Sequence, residues 1–284
     1  MNTAEIGGAQ VGYLSGGDGP PVVLLHGWPE TSRAWLPVLE PLTRAGYRVI
    51  APDLRGTGDS ERAADGYTKD DQARDLGCLL DELGVREPIR LVGHDIGGMI
   101  AFSFARLYPD RVARLALIDL ALPGLGLEQA MDVASGGLWH FGLFMQPHVP
   151  AMLLDGHEPE FFRWWFAAQA AAPGAVPDAA VDAYARAYTG REALDAAFGH
   201  YRTLLADGEA NRVWVTSGAT LPMPVLAVGG ERSAGGRLAT ALHEVAPQVQ
   251  AVTIADCGHF VMEEQPAALL AALTPFLDPK EQQP

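Results

Sequence analysis

Short apolar runs alternate with stretches of helical spacing along most of the chain. Val11–Leu14 reads as a first strand, closed by the turn Gly16-Gly17-Asp18-Gly19-Pro20. Pro21–Leu25 is apolar throughout, the pattern of a strand covered on both faces. Ser32–Ala45 sets Trp35, Leu36, Leu39 and Leu42 at helical spacing, and Gly46 stops it. Strand Tyr47–Ala51 and a polar loop, Asp53–Asp65, come next. Thr68 is placed to cap a helix running to Leu83, with Gly84 as its stop. Strand Ile89–Val92, helix Met99–Leu107 and strand Leu115–Ile118 complete this half. The alternation predicts an α/β fold, a mostly parallel sheet flanked by helices.

The rhythm breaks at Pro123 and resumes after Ser217. Residues 123–217 carry helical patterns and no strand, and they hold thirteen of the twenty-three aromatic residues. That density predicts a separate helical insertion, with residues 1–122 and 218–284 forming the core. The sheet resumes with Pro224–Val228, then helix Leu238–Val245, strand Gln250–Ile254 and a last helix, Pro266–Leu277. The tail Asp278–Pro284 is expected to fray.

Composition narrows the function. A net charge of −15 leaves no basic excess to neutralise phosphates, which argues against nucleic acid and against a polybasic membrane anchor. No stretch of eighteen apolar residues spans a membrane, and MNTAEIGGAQVGYLSGG lacks the marks of a signal peptide. The expectation is a cytoplasmic protein. Cys78 and Cys257 cannot build a disulfide scaffold and are expected to pack as reduced thiols. The spacing of His140, His148 and His157 fits no metal template.

The sharpest local signal is Gly93-His94-Asp95-Ile96-Gly97-Gly98, between a strand and a helix. It has the form G-x-Nu-x-G, in which small neighbours let a strained turn expose a nucleophile, and here the central residue is aspartate. His26-Gly27-Trp28-Pro29 follows an earlier buried strand, where an oxyanion loop belongs. Asp256-Cys257-Gly258-His259 follows the last strand, where a catalytic histidine belongs.

With these segments the chain resembles the α/β-hydrolases of the aspartate-nucleophile branch, most of all epoxide hydrolases, which are related to haloalkane and fluoroacetate dehalogenases. HGWPE at His26–Glu30 is similar to their HGxP motif, and GHDIGG at Gly93–Gly98 to their GHDxGG elbow. The likeness covers essentially the whole chain. It implies an eight-stranded sheet with a helical cap inserted after the sixth strand, no cofactor, and a small-molecule epoxide and water as partners. A carboxylate is ionised at neutral pH, and displacement at saturated carbon gives it an ordinary alkyl ester. Asp95 would form that ester and His259 would activate the water that hydrolyses it. The backbone N–H groups of Trp28 and Ile96 would hold the oxyanion.

Three roles rest on finer likenesses. The acid that orients the histidine often follows the seventh strand in a G-E-x-D pattern. Gly230-Glu231-Arg232-Ser233 puts a serine there, so Asp119 is the first candidate and Glu231 the second. Phe198-Gly199-His200-Tyr201-Arg202 resembles an aromatic-Tyr-Arg cap motif, which makes Tyr201 the donor to the epoxide oxygen. Trp139-His140-Phe141 resembles a Trp-His-aromatic segment, which makes His140 the second donor, with Trp164 and Trp165 as weaker substrate contacts.

Two other functions stay open. A haloalkane- or haloacetate-type dehalogenase would use the same nucleophile. Ile96 and Met99 nevertheless stand where fluoroacetate dehalogenases carry arginines, and Phe141 where they carry a tryptophan. Ile96 also replaces the tryptophan of the commonest epoxide hydrolase elbow, GHDWGG. A non-catalytic ligand-binding protein of this fold would need neither an intact Asp95 nor His259.

Overall fold

The computed structural model describes residues 1–278. Among them eight strands form one sheet: β1 (Asn2–Ile6), β2 (Ala9–Gly16), β3 (Pro21–Leu25), β4 (Arg48–Pro52), β5 (Ile89–His94), β6 (Val112–Ile118), β7 (Val225–Gly230) and β8 (Val249–Ile254). Their spatial order is β1-β2-β4-β3-β5-β6-β7-β8. The β1/β2 and β2/β4 pairs are antiparallel and all other neighbours are parallel. Every residue of β3 and β7 is buried, as expected for central strands with helices on both faces.

Three helices belong to the first half: α1 (Leu36–Arg44), α2 (Lys69–Glu82) and α3 (Asp95–Leu107). Seven more lie between β6 and β7: α4 (Leu127–Ala130), α5 (Trp139–Phe144), α6 (Val149–Leu154), α7 (Glu158–Gln169), α8 (Asp178–Ala187), α9 (Arg191–Arg202) and α10 (Leu204–Thr216). The last three are α11 (Arg237–Leu242), α12 (Val261–Glu264) and α13 (Pro266–Leu277). Helix α3 packs on β3, β5 and β6 and against α2, while α1 and α13 pack on each other.

Several elements differ from the sequence expectation. The first strand is Asn2–Ile6, and Val11–Leu14 lies inside β2, its hairpin partner. In β1 only Ile6 is buried, so an edge strand of this kind carries no apolar pattern to read. Helix α3 begins at Asp95 and not at Met99, because Gly97 and Gly98 disguise its first turn. Ser32–Ala45 divides into a single 3₁₀ turn, Ser32–Trp35, and α1. The Thr68 cap forms, its hydroxyl accepting from the Asp71 N–H at 3.1 Å. Cys257 is buried, but Cys78 is exposed on α2 and does not pack. The tail expected to fray lies outside the described residues beyond position 278.

The loops after β3, β5, β6 and β8 leave the carboxyl ends of their strands, where open α/β sheets place their sites. Among the described residues no helix is long and apolar enough to cross a membrane.

Candidate active site

Asp95 sits where β5 gives way to α3, with a backbone φ of 48°. Positive φ is costly for a residue with a side chain, so the turn depends on its neighbours. A Cβ on Gly93 would lie 2.5 Å from the Gly97 carbonyl oxygen, and one on Gly97 would lie 2.4 Å from that of His26. The glycines let strand, helix and the preceding loop close around the aspartate. Its Oδ2 accepts from the Trp28 N–H at 3.1 Å. Ile96 follows in the first turn of α3, where backbone N–H groups have no intrahelical acceptor. The Trp28 N–H and the positive end of α3 therefore meet at one carboxylate.

Glu30 and His94 support the turn from behind. The Glu30 carboxylate accepts from the Gly27 N–H at 3.2 Å and meets His94 Nδ1 at 2.9 Å. His94 Nε2 lies 2.9 Å from the His259 carbonyl oxygen. His94 therefore ties the elbow to the histidine loop and is fully buried.

His259 Nδ1 lies 2.8 Å from Asp119 Oδ1. Asp119 follows β6 at a φ of 46° and is buried. Its carboxylate accepts from the Gly230 N–H at 2.7 Å, the Ser233 hydroxyl at 2.5 Å and the Ala234 N–H at 3.2 Å. Burial alone would raise the Asp119 pKa. The hydrogen bond and charge of His259, with Ser233 and Gly230, outweigh it and hold the pKa below the ordinary carboxylate value. Burial would likewise lower His259, but the hydrogen bond and charge of Asp119, then the charges of Asp95 and Glu30, raise it to about 9. Glu231 is exposed and accepts from the Asp256 N–H at 3.1 Å, away from this pair. Ser233, at the position where an acid is common, serves as a hydrogen-bond donor to Asp119.

A cavity of about 780 Å³ joins these groups to the helical segment. Asp95, Asp119, His259, Trp28, His140, Phe141, Trp165 and Tyr201 all line it. The volume lies within the usual range for small-molecule sites. Tyr201 comes from the last turn of α9 and His140 from the first turn of α5, with ring centroids 6.4 Å apart. Burial, then the charge of Asp95, pushes the Tyr201 phenol well above its ordinary pKa. Burial, then the charge of His259, lowers His140 to about 4. At neutral pH Tyr201 is a phenol and His140 a neutral imidazole with one N–H to donate.

The weak candidates separate. Trp165 is buried, lines the cavity and meets the Trp28 ring edge-on at 5.1 Å. Trp164 is 51% exposed, lies near the rings of Trp139 and Phe161, and is not among the residues lining the cavity. The two residues are adjacent on α7 and point about 100° apart, which a Trp-Trp pair in sequence does not resolve. Sequence reasoning gave no role to Glu30 or Ser233. Glu30 closes the HGWPE segment, and its side-chain burial is visible only in the fold.

Residues 20–266 match the α/β hydrolase fold family, and the chain belongs to that family. It is a hydrolase related to proteins named epoxide hydrolases. It is 32% identical to the soluble epoxide hydrolase of a Corynebacterium sp. over 97% of this chain and 96% of that protein. The crystal structure of wild-type Cfl2 from Burkholderia cenocepacia superposes with a TM-score of 0.88 at 35% identity, covering 97% of this chain and 95% of the other. A fluoroacetate dehalogenase of a Burkholderia sp. is 31% identical over 56% of this chain and 53% of its own length.

Proposed function

We propose that this chain is an epoxide hydrolase that forms a covalent ester on Asp95, with residues 123–217 acting as a cap over the sheet. The observation that carries the reading is the opposition of groups across one cavity. The carboxylate of Asp95 lies on the core side, and a phenol and a neutral imidazole lie on the other. A ring-opening reaction needs both a nucleophile and a donor to the departing oxygen.

Asp95 Oδ2 is engaged by the Trp28 N–H, which leaves Oδ1 to attack an epoxide carbon. The C–O bond of the ring breaks, and its oxygen takes a proton from Tyr201 while the His140 N–H supports it. Oδ2 becomes the ester carbonyl oxygen, already beside the Trp28 N–H, with the Ile96 N–H as the second donor. His259 then takes a proton from water, and the hydroxide adds to the Asp95 Cγ. The tetrahedral oxyanion is held by the same two N–H groups and collapses to release the diol. The proton on His259 restores the Tyr201 hydroxyl, so one epoxide and one water give one diol. Asp119 holds the His259 tautomer throughout. The apolar lining of Trp28, Phe141 and Trp165 suits an apolar or aromatic epoxide, of the kind found among natural products.

A single turnover in ¹⁸O-water tests the covalent route. The first diol should be unlabelled, because its new oxygen comes from Asp95. Full label in that diol would mean direct attack by water and end the proposal.

A further inference from the structure

The helical segment is held to the core by a buried ion pair that the reaction scheme leaves without a role. Lys69, the first residue of α2, is 1% exposed, and Asp207, in the first turn of α10, is 5% exposed. Lys69 Nζ donates to Asp207 Oδ2 at 3.0 Å, to the His200 carbonyl oxygen at 2.7 Å and to the Thr203 hydroxyl at 3.1 Å. The Lys69 backbone N–H donates to Asp207 Oδ1 at 2.9 Å.

Three helix ends meet at this point. The ammonium sits at the C-terminus of α9, where carbonyls lack intrahelical donors and a cation is favourable. The carboxylate sits at the N-termini of α10 and α2, where the opposite holds. The neighbouring His200 is fixed as well, its Nε2 lying 2.9 Å from the Arg55 carbonyl oxygen and its Nδ1 3.1 Å from Gln72 Nε2. Burial, then the charge of Lys69, keeps the His200 pKa well below its ordinary value. The imidazole is therefore neutral, with Nδ1 accepting from Gln72 and Nε2 donating to Arg55.

Buried ion pairs contribute little net stability compared with apolar side chains of the same size, but their hydrogen bonds fix geometry. What this one fixes is the last turn of α9, and Tyr201 is the residue after His200. We propose that Lys69 and Asp207 are positioning residues for Tyr201, holding its hydroxyl over Asp95 from outside the cavity. This inference rests on the donor role of Tyr201 proposed above.

The test is rapid-quench alkylation of the full chain by trans-stilbene oxide, read as the mass of the Asp95 ester, alongside the rate of ester hydrolysis. Lys69→Met combined with Asp207→Leu removes both charges together and leaves no lone buried ion. Alkylation should slow at least about tenfold, short of the roughly 10²–10³-fold cost of losing an oxyanion donor outright, while ester hydrolysis changes less than about twofold. In a Tyr201→Phe background the same pair should slow alkylation no further, an outcome that a general loss of packing would not produce. Asp207→Asn, which keeps an acceptor for Lys69, gives the same comparison if the double variant does not fold. Wild-type alkylation in these variants, with Tyr201→Phe slow, would overturn the inference and leave the donor role intact. An equal further loss in the Tyr201→Phe background would also overturn it. If Tyr201→Phe itself alkylates at the wild-type rate, the donor role fails and the inference falls with it.

Discussion

His259 must be neutral to take a proton from water, yet its pKa in the resting site is about 9. Part of that rise comes from the charge of Asp95, and esterification removes this charge. The proposed chemistry therefore lowers the His259 pKa at the step that needs a base. Ester hydrolysis should rise with pH through a midpoint below 9, while alkylation, which needs no base, should stay flat between about pH 6 and 8. Single-turnover rates of the two steps across that range decide the matter, and parallel profiles would refute it. His259→Gln should accumulate the ester on the peptide containing Asp95, and steady turnover by that variant would remove His259 from the mechanism. Asp119→Asn should reduce turnover by about 10⁴-fold, the scale seen when a triad histidine loses its orienting carboxylate. Glu231→Gln should change little, because Glu231 is turned toward the Asp256 N–H. Asp119 was readable as the first candidate because a serine occupies position 233. That this serine donates to Asp119 was not readable, since the two are far apart in sequence and meet only across β6 and β7.

The strand-to-helix turn is the element on which Asp95 depends. A methyl group at Gly97 would press on the carbonyl oxygens of both Leu25 and His26, at 2.5 and 2.4 Å. Neither is the end of a flexible side chain, so β3 or α3 must move. Gly97→Ala is expected to cost about 1–3 kcal/mol, the usual scale for overpacking a tight site. It should also slow alkylation by displacing Asp95 from the Trp28 N–H. Chemical unfolding with a single-turnover assay checks both, and an unchanged unfolding midpoint would show that the turn has slack. The elbow was legible because its pattern is local, with glycines two residues either side of Asp95. Strand β1 was not legible, because an exposed edge strand is held by backbone pairing with β2 and not by burial of its own side chains.

Across the molecule, a second carboxyl group stands behind the site. Glu263 on α12 accepts from the Tyr184 hydroxyl at 2.9 Å and shares a side-chain hydrogen bond with the buried Glu30. Burial, then the charge of Glu30, raises the Glu263 pKa well above its ordinary 4.5. The folded state keeps this proton where the unfolded chain releases it. Glu263 therefore supports the fold fully below about pH 4.5, and that support fades as pH rises toward its folded value. Gln is neutral in both states, so Glu263→Gln should gain more thermal stability over the wild type at pH 8 than at pH 4. Equal differences in Tm at both pH values would show that Glu263 is not proton-bound in the fold. The strand–helix alternation, the glycine-flanked turn at Asp95 and the candidate segments at His26–Pro29 and Asp256–His259 were legible in the sequence, because periodic burial and tight turns leave their marks on neighbouring residues. The tertiary structure alone decided which indole faces the cavity, which acid meets His259 and how Lys69 reaches the end of α9. Those outcomes depend on distances between residues separated by as many as 140 positions, and no local pattern encodes them.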